Sequence, residues 1–295
     1  MSFKYQISVI IPVYNDQAGL DFCLEGLNKQ TISDNEFEII IIDNGSYPNL
    51  QVVDYPNLQI NFISCMKKGS YAARNAGIKV ALGEYIAFLD ADCQPIEKWL
   101  EIGLHTLKNN PTKTVIAGNV SLIPSQNPSI IEQYQCLTGF GQKENVEINQ
   151  FAATANIFVK YENISEIGLF DDRLLSGGDR EWSWRAKQCN YNIIYSSEAL
   201  VYTHPRKTLT GAIKQARRVA GGRYKIKQLK LITNPIGLSK LAPRRKIFES
   251  IYWILKQSQL NIITRVKLLG IASFLKLIQF YEAIRLKLGN LPERC

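Results

Sequence analysis

Several signatures of common functional sites are missing from this 295-residue chain. Its six cysteines form no C-x-x-C pair and only two histidines are present, so a zinc site built from these residues is not expected. Single cysteines at apolar positions are typical of a reducing compartment. The first predicted strand is not followed by G-x-G-x-x-G, which argues against a dinucleotide-dependent oxidoreductase.

Long apolar runs are also missing. No run reaches the roughly 18 residues of a transmembrane helix, and the amino terminus lacks the basic and apolar regions of a signal peptide, so neither feature is expected. Acidic residues are scarce in the last third, where residues 205–295 hold 3 against 20 Lys and Arg, whereas residues 1–204 hold 23 against 15. The chain therefore combines an acidic body with a basic tail.

The first 120 residues show a regular alternation of apolar segments. Strands are predicted at 6–14, 38–42, 58–64, 84–89 and 113–120, with helices at 17–30, 70–82 and 96–109. This alternation predicts an α/β fold, a doubly wound, mostly parallel sheet. Further strands are predicted at 151–160, 192–196 and 200–203, whereas residues 121–150 show no clear pattern.

Two carboxylates follow the strand predicted at 84–89. Asp90 and Asp92 are one residue apart, and ligands of open α/β sheets bind beyond the carboxyl ends of strands. Two hard oxygen ligands on such a turn suit a divalent cation that keeps waters and a ligand phosphate as its other partners. A solvated loop whose Asp caps the next helix explains the same spacing, so the pair alone leaves both interpretations open.

A second polar strand end and a glycine-flanked aspartate are further candidates. Asp43 and Asn44 end the second predicted strand, and right-handed crossovers place this end at the same edge of the sheet as Asp90 and Asp92. Farther along, Asp179 follows two glycines and precedes a predicted helix. A helix N-cap and a chemical role are both open for this residue, because one carboxylate can do both.

The basic tail mixes Lys and Arg with large apolar residues. Helices are predicted within residues 208–230, 243–258 and 261–289. In the last of them, polar residues recur every third position beside a broad apolar face: Ser273, Lys276, Gln279 and Glu282. Basic amphipathic helices lie in membrane interfaces and also pack as ordinary surface helices. The excess of basic residues favours contact with anionic lipid.

Four motifs occur in a fixed order: VIIPVYN at 9–15, IDNGS at 42–46, RNAG at 74–77 leading into FLDAD at 88–92, and GGDREW at 177–182. With Arg185 they resemble glycosyltransferase family 2, the inverting nucleotide-sugar transferases of the GT-A fold. Each motif alone is weak, whereas the ordered set is specific. The resemblance implies a catalytic domain over 1–207, with a nucleotide-sugar half to about 120, and leaves 208–295 as a basic helical region.

The resemblance also implies a role for each matched position. Asp179 matches the catalytic base, and Asp90, Asp92 and His204 match ligands of a divalent metal, Mn²⁺ or Mg²⁺. The nucleotide sugar is expected to contact eight residues: Pro12, Tyr14, Asn15, Asp43, Asn44, Arg74, Asp90 and Ala91. The acceptor is expected to contact three: Gly178, Trp182 and Arg185.

Two positions depart from the family pattern. Asn44 stands where a second Asp is frequent, which leaves the nucleotide base open, and Gly178 stands where a Glu is frequent, which leaves Asp179 as the carboxylate for the base role. Three of the candidates also have an interpretation without a functional role: core packing at Trp182, a surface ion pair at Arg74 and an ordinary loop position at His204.

The chemistry of sugar transfer fits these residues. A divalent ion neutralises the leaving diphosphate, a base takes the acceptor proton, and one carboxylate suffices for a single inverting displacement, whereas a glycoside hydrolase needs two. The sequence thus predicts a metal-dependent inverting glycosyltransferase that acts on a glycan, glycolipid or lipid-linked acceptor in surface polysaccharide or cell-envelope synthesis.

Its expected location is cytoplasmic, at the inner face of the cell membrane, where the tail meets anionic lipid; nucleic acid is not an expected partner. The alternatives are a membrane-docked nucleotide-sugar-binding protein without activity and a nucleotidyltransferase. The second needs a Gly-rich basic loop, which residues 12–19 lack.

Overall fold

The computed structural model describes residues 3–51, 55–229 and 253–290. The chain forms two compact units. The first contains Met1–Ser121 and Gly141–Thr203, and the second contains Leu122–Phe140 and His204–Cys295.

The strands are β1 (Tyr5–Val13), β2 (Phe37–Asp43), β3 (Ile60–Ser64), β4 (Gly83–Leu89), β5 (Cys93–Pro95), β6 (Thr114–Leu122), β7 (Asn156–Lys160) and β8 (Asn192–Thr203). The helices are α1 (Gln17–Leu27), α2 (Ser70–Val80), α3 (Trp99–Lys108), α4 (Ile130–Thr138), α5 (Gln142–Glu147), α6 (Tyr161–Ile167), α7 (Gly178–Gln188), α8 (Leu209–Gln228) and α9 (Ile262–Lys287).

One eight-stranded sheet forms the centre of the first unit, in the order β3-β2-β1-β4-β7-β6-β8-β5. β1 pairs in parallel with β2 and β4, and β2 pairs in parallel with β3, as the alternation of strands and helices predicts. Every residue of β2 is buried, which explains why its sequence is apolar throughout rather than alternating. The mixed, mostly parallel sheet confirms the predicted fold class.

The second half of the sheet departs from the predicted order. β7 lies antiparallel between β4 and β6, so the alternation of parallel strands does not continue from β4 to β6. The buried side chain of Asn156 at the start of β7 accepts a hydrogen bond from Trp99 Nε1 (3.0 Å) and donates to the carbonyls of Asn119 (2.9 Å) and Ala199 (2.8 Å). These bonds tie the start of β7 to α3, β6 and β8, and no local pattern predicts them.

Other boundaries differ in smaller ways. The unassigned stretch 121–150 contains the helices α4 and α5, and the strands predicted at 192–196 and 200–203 are one strand, β8. The predicted segment 243–258 lies mostly outside the described residues.

Helix α2 packs unusually close to the sheet because its inner face is small. Ala72 and Ala73 are buried. A Cβ atom on Gly77 would lie 2.7 Å from Ile10 Cγ2 on β1 and 2.9 Å from Ile42 Cδ1 on β2, so this position has no room for a side chain. The close packing places the first turns of α2 beside the carboxyl ends of β1, β2 and β4.

The second unit is helical. Ile131 of α4, Ala212 and Ala216 of α8 and Leu275 of α9 form a buried apolar cluster. Helix α4 begins at a capping box, in which Ser129 and Glu132 satisfy each other's backbone N–H groups. Among the described residues of both units, no helix is long and apolar enough to cross a membrane.

Glu282 is the one acidic residue of α9, and it is fully buried. Its carboxylate accepts hydrogen bonds from Arg285 Nη2 (2.6 Å) and from Arg217 Nε of α8 (2.9 Å). These bonds, first those from Arg285 and then that from Arg217, lower the pKa of Glu282 and keep it charged. The predicted polar stripe of α9 is therefore wrong at Glu282, which joins two helices instead of facing solvent.

Candidate active site

The end of β2 forms the first wall of the site. Asp43 pairs with Val13 of β1, and its Oδ1 accepts a hydrogen bond from Ser46 N (3.0 Å) in a tight turn. Asn15, just beyond β1, donates its N–H to Ser46 Oγ (2.8 Å) and accepts from Tyr47 N (2.8 Å). The loops after β1 and β2 are thus tied together.

The end of β1 and the loop after it carry the other predicted nucleotide contacts. Pro12 is half-buried in β1, whereas Tyr14 and Asn15 are exposed at its carboxyl end. The structure therefore brings these predicted nucleotide contacts to one edge of the sheet, beside Asp43.

The side chain of Asn44 has a structural role. Its buried amide donates to the carbonyls of Cys65 (2.9 Å) and Lys67 (2.7 Å) and accepts from Gly69 N (2.7 Å). Gly69 has a φ of 116°, a conformation that favours glycine. The amide of Asn44 thus shapes the loop that leads into α2.

Asp90 and Asp92 lie on the turn after β4. Asp90 forms a short ion pair with Nη2 of Arg74, whose side chain is only 3% exposed. The Nε of Arg74 is buried and has no hydrogen-bond partner among the residues that the structure describes. Asp92 is exposed, and Ala91 between the two is buried. Arg74 is therefore a buried partner of the strand-end carboxylate rather than half of a surface ion pair.

Two thiols lie under this turn. Burial raises the pKa of Cys23 and of Cys93 well above the usual thiol value, and the carboxylates of Asp92 and Asp90 raise both further. The five cysteines of the described residues are free. Buried, protonated thiols are poor nucleophiles, so the chemistry of the site rests on its carboxylates.

The carboxylates of Asp90 and Asp92 fit a cation that binds together with a phosphate ligand. No cluster of three or more His, Cys, Asp or Glu that could hold a metal occurs in the described part of the chain. Mg²⁺ and similar hard cations are commonly held by one or two carboxylates, with substrate phosphates and waters as the remaining ligands. Asp90 and Asp92 meet that requirement and do not form an all-protein cage.

Asp179 lies in the first turn of α7 and is half-buried. It is not the N-cap, because Gly177, with a φ of 81°, holds that position. Asp179 Oδ1 accepts hydrogen bonds from Arg180 N (2.8 Å) and from the hydroxyl of Tyr71 on α2 (3.3 Å).

One face of α2 links the two carboxylate groups. Tyr71 and Arg74 are three residues apart and therefore neighbours on that face, with Arg74 Cζ 5.7 Å from the centre of the Tyr71 ring. Tyr71 contacts Asp179, and Arg74 contacts Asp90. Sequence reasoning missed Tyr71; its spacing from Arg74 was the available signal.

The loop that precedes α7 is bonded to α2. The amide of Asn75 donates to Phe170 O (2.8 Å) and accepts from Phe170 N (3.0 Å). A Cβ atom on Gly178 would lie 2.7 Å from the ring of Tyr71, which explains why glycine replaces the frequent Glu at this position. Gly178 gives room to Tyr71.

The predicted acceptor residues of α7 have structural roles. Trp182 is fully buried, packs 5.2 Å from the ring of Phe170 and donates Nε1–H to Gly168 O (2.8 Å), so its ring offers no face to a sugar. Arg185 pairs with Glu181 and donates to Leu169 O (2.7 Å). Both residues hold α7 against the preceding loop.

His204 belongs to the second unit. It is exposed, and its Nδ1 lies 3.1 Å from Ile123 O. A role of His204 as a metal ligand stays a prediction.

Comparisons with known proteins find a matching family model and several relatives. The family model described as glycosyl transferase family 2 matches residues 8–153. Glycosyltransferase AglE of Haloferax volcanii is 32% identical over 255 residues, which cover 84% of this chain and 80% of the relative. The amylovoran biosynthesis glycosyltransferase AmsB of Erwinia amylovora is 28% identical over 67% of this chain and 69% of its own length.

A solved structure shares the fold. The mannosyltransferase PcManGT from Pyrobaculum calidifontis, in complex with GDP-Man and Mn²⁺, aligns with 97% of this chain and 80% of its own, with a TM-score of 0.56 and 17% sequence identity.

Proposed function

The chain belongs to glycosyltransferase family 2, and from this premise we propose that it transfers a sugar from a nucleoside diphosphate to an acceptor hydroxyl with inversion at the anomeric carbon. One observation carries the proposal: a single face of α2 places Arg74 on Asp90 and Tyr71 on Asp179. The group proposed to bind the leaving diphosphate and the group proposed to accept a proton are therefore linked through one helix.

The donor is proposed to lie across the carboxyl ends of β1, β2 and β4. Tyr14, Asn15 and Asp43 stand at the end where the nucleoside is expected, and Arg74, Asp90 and Ala91 stand where the diphosphate is expected. The unpartnered Nε of buried Arg74 supports a phosphate contact, because a buried donor without a partner is costly unless a ligand satisfies it.

A divalent ion is proposed to be held by Asp90 and Asp92. When bound, Mn²⁺ or Mg²⁺ supplies charge neutralisation for the leaving diphosphate. The complex of PcManGT with GDP-Man and Mn²⁺ supports this choice. Around the ion, Arg74 orients Asp90 through their ion pair, and exposed Asp92 can reach a ligand without rearrangement of the core.

Asp179 is proposed to be the base. Its carboxylate accepts the proton of the acceptor hydroxyl as that oxygen attacks the anomeric carbon, and the bonds from Tyr71 and from Arg180 N hold Oδ1 in place. Gly178 remains a proposed part of the acceptor side of the crevice. The buried ring of Trp182 is not part of the proposed acceptor site. Arg185 is proposed to support that site by its hydrogen bond to the loop before α7.

The acceptor class is proposed from the names of the relatives. AmsB is named for amylovoran biosynthesis, and another relative is a poly(ribitol-phosphate) beta-glucosyltransferase, which supports an acceptor in surface polysaccharide or cell-envelope glycan synthesis. Residues 1–207 are the proposed catalytic domain. Residues 208–295 are the proposed contact with the inner face of the cell membrane.

A donor screen tests the proposed function. Thermal shift with UDP-, GDP- and dTDP-sugars, with and without Mn²⁺, is expected to show one nucleotide class that stabilises the protein more when Mn²⁺ is present. That donor should then be hydrolysed slowly or transferred to an acceptor extract. Stabilisation without turnover under every donor would instead identify a binding protein without transferase activity.

Tyr71→Phe is expected to slow turnover by about tenfold, because a hydrogen bond to a charged group contributes about 1.5–3 kcal/mol and this bond is long. Donor affinity should be unchanged. Since a hydrogen bond to the ionised carboxylate favours that form, the acidic limb of the pH–rate profile should move to higher pH.

Tyr191→Phe is the matched control. It removes another tyrosine–carboxylate bond, from Tyr191 to Glu166 (2.7 Å), near the amino end of β6. The control should lower the melting temperature and leave the pH profile in place. Equal pH profiles for Tyr71→Phe and the wild type would show that Tyr71 only packs.

A further inference from the structure

Helix α9 has an apolar face that the second unit does not use. Its inner face packs through Leu268, Ala272 and Leu275. On the outside, large apolar side chains are exposed in two stretches, first Ile262, Ile263 and Val266, and then Phe274, Leu277, Phe280, Tyr281, Ile284 and the C-cap residue Leu288. Phe280 and Leu277, near the middle of this set, are 67% and 65% exposed.

These residues form one stripe, which we call the outer face of α9. At 3.6 residues per turn, all nine residues fall within about a third of the helix circumference. Exposed apolar residues grouped on one side of a helix in this way mark an interaction site. The helix is therefore apolar on two opposite sides, one packed and one open, which differs from the single apolar face predicted from the sequence.

The margins of the outer face are basic. On a helical projection, Lys267 lies at one margin and Lys276 and Lys287 lie at the other. In the described stretch 253–290 the single carboxylate side chain is Glu282, which is buried and neutralised by Arg217 and Arg285. The outer face thus combines a broad apolar centre, two positive margins and no exposed acid.

We propose that the outer face of α9 docks flat on an anionic lipid bilayer. Apolar side chains in the centre would enter the acyl boundary, while the flanking lysines extend to the headgroups. The charge of the margins matches anionic lipid and opposes a second copy of this chain, since two outer faces in contact would bring their lysines together. This inference rests on the membrane contact proposed for residues 208–295 and needs no step of sugar transfer.

Flotation with vesicles tests the proposal on the full chain. Wild type should float with vesicles of phosphatidylglycerol and phosphatidylcholine, and much less with phosphatidylcholine alone or at high salt. The double variant Leu277→Gln/Phe280→Gln should bind about tenfold more weakly or worse, because binding scales with the apolar area inserted. Gln is a good helix former, so helix content and melting temperature should stay unchanged.

Two further variants test whether vesicle binding is specific to the outer face of α9 and whether it depends on the lysines of that face. Met66→Gln/Leu82→Gln removes two exposed apolar side chains of the first unit and should float as the wild type does. Lys267→Gln/Lys287→Gln should weaken binding severalfold and reduce its salt dependence, even if the apolar variant fails to fold.

Three results would overturn the docking surface. The first is a wild type that does not bind anionic vesicles. The second is a Leu277→Gln/Phe280→Gln variant that folds and floats like the wild type. The third is light scattering that shows a dimer for the wild type and a monomer for this variant. The last result would assign the outer face to self-association. Sugar transfer to a soluble acceptor should persist in all folded variants, which keeps a failure of docking distinct from a failure of the proposed enzyme.

Discussion

Asp179→Asn is expected to reduce turnover by about 10²- to 10⁴-fold, the usual contribution of a positioned general base. Asn keeps the size of the side chain and can still accept the bonds from Tyr71 and Arg180 N, but it does not take up a proton at neutral pH. Donor affinity should be nearly unchanged, because the substitution keeps the ion pair of Arg74 and Asp90 and Asn can still accept the hydrogen bond from Tyr71.

The stability of the Asp179→Asn variant should also change little. Gly177, not Asp179, is the N-cap of α7, so no cap is lost. The variant loses only the interaction of a first-turn carboxylate with the helix dipole, about 0.3–1 kcal/mol. The measurements are turnover, donor affinity and melting temperature.

Asp34→Asn makes the same chemical change before the amino end of β2, at the opposite edge of the sheet, and should retain full turnover. An Asp179→Asn variant whose turnover stays within a few-fold of the wild type would leave the chain without its proposed base.

Asp92→Asn is expected to reduce metal-dependent transfer by about 10³-fold. A bound cation contributes several kcal/mol of charge stabilisation, and about 1.4 kcal/mol corresponds to a factor of ten. Because Asp92 is exposed, the fold should be intact. Mn²⁺ binding, followed by electron paramagnetic resonance in the presence of a nucleoside diphosphate, should weaken in parallel with activity.

Glu97→Gln is the control for Asp92→Asn. It removes an exposed carboxylate five residues farther along the chain and should bind Mn²⁺ as the wild type does. Full transfer in the presence of saturating chelator would rule out the proposed metal, and a normal Mn²⁺ signal in Asp92→Asn would move the metal site away from this turn.

Local patterns predicted the elements that carry the site. The apolar run of β2 and the small residues of α2 predicted buried elements. The polar residues after each strand predicted one edge of a parallel sheet. Asp43, Asp90 and Asp92 lie at that edge as predicted, because the direction of a strand and the handedness of its crossover determine where its end lies.

Contacts between distant residues were not predictable in this way. Asn156, at the start of the antiparallel strand β7, makes hydrogen bonds to residues 37 and 43 positions away. The burial of Glu282 depends on Arg217 in another helix. An apolar or polar residue in a helix looks the same to a local pattern whether another helix covers it or solvent does.

By itself, the sequence determined the parallel half of the sheet, the edge at which the candidate residues meet and the family, because each follows from spacing along the chain. Only the tertiary structure decided which contacts those residues make. It gave Asp179 its partner Tyr71, 108 positions away, placed Trp182 in the core and left one side of α9 uncovered. Such outcomes depend on which surfaces pack together, and packing is a property of the whole fold rather than of any segment.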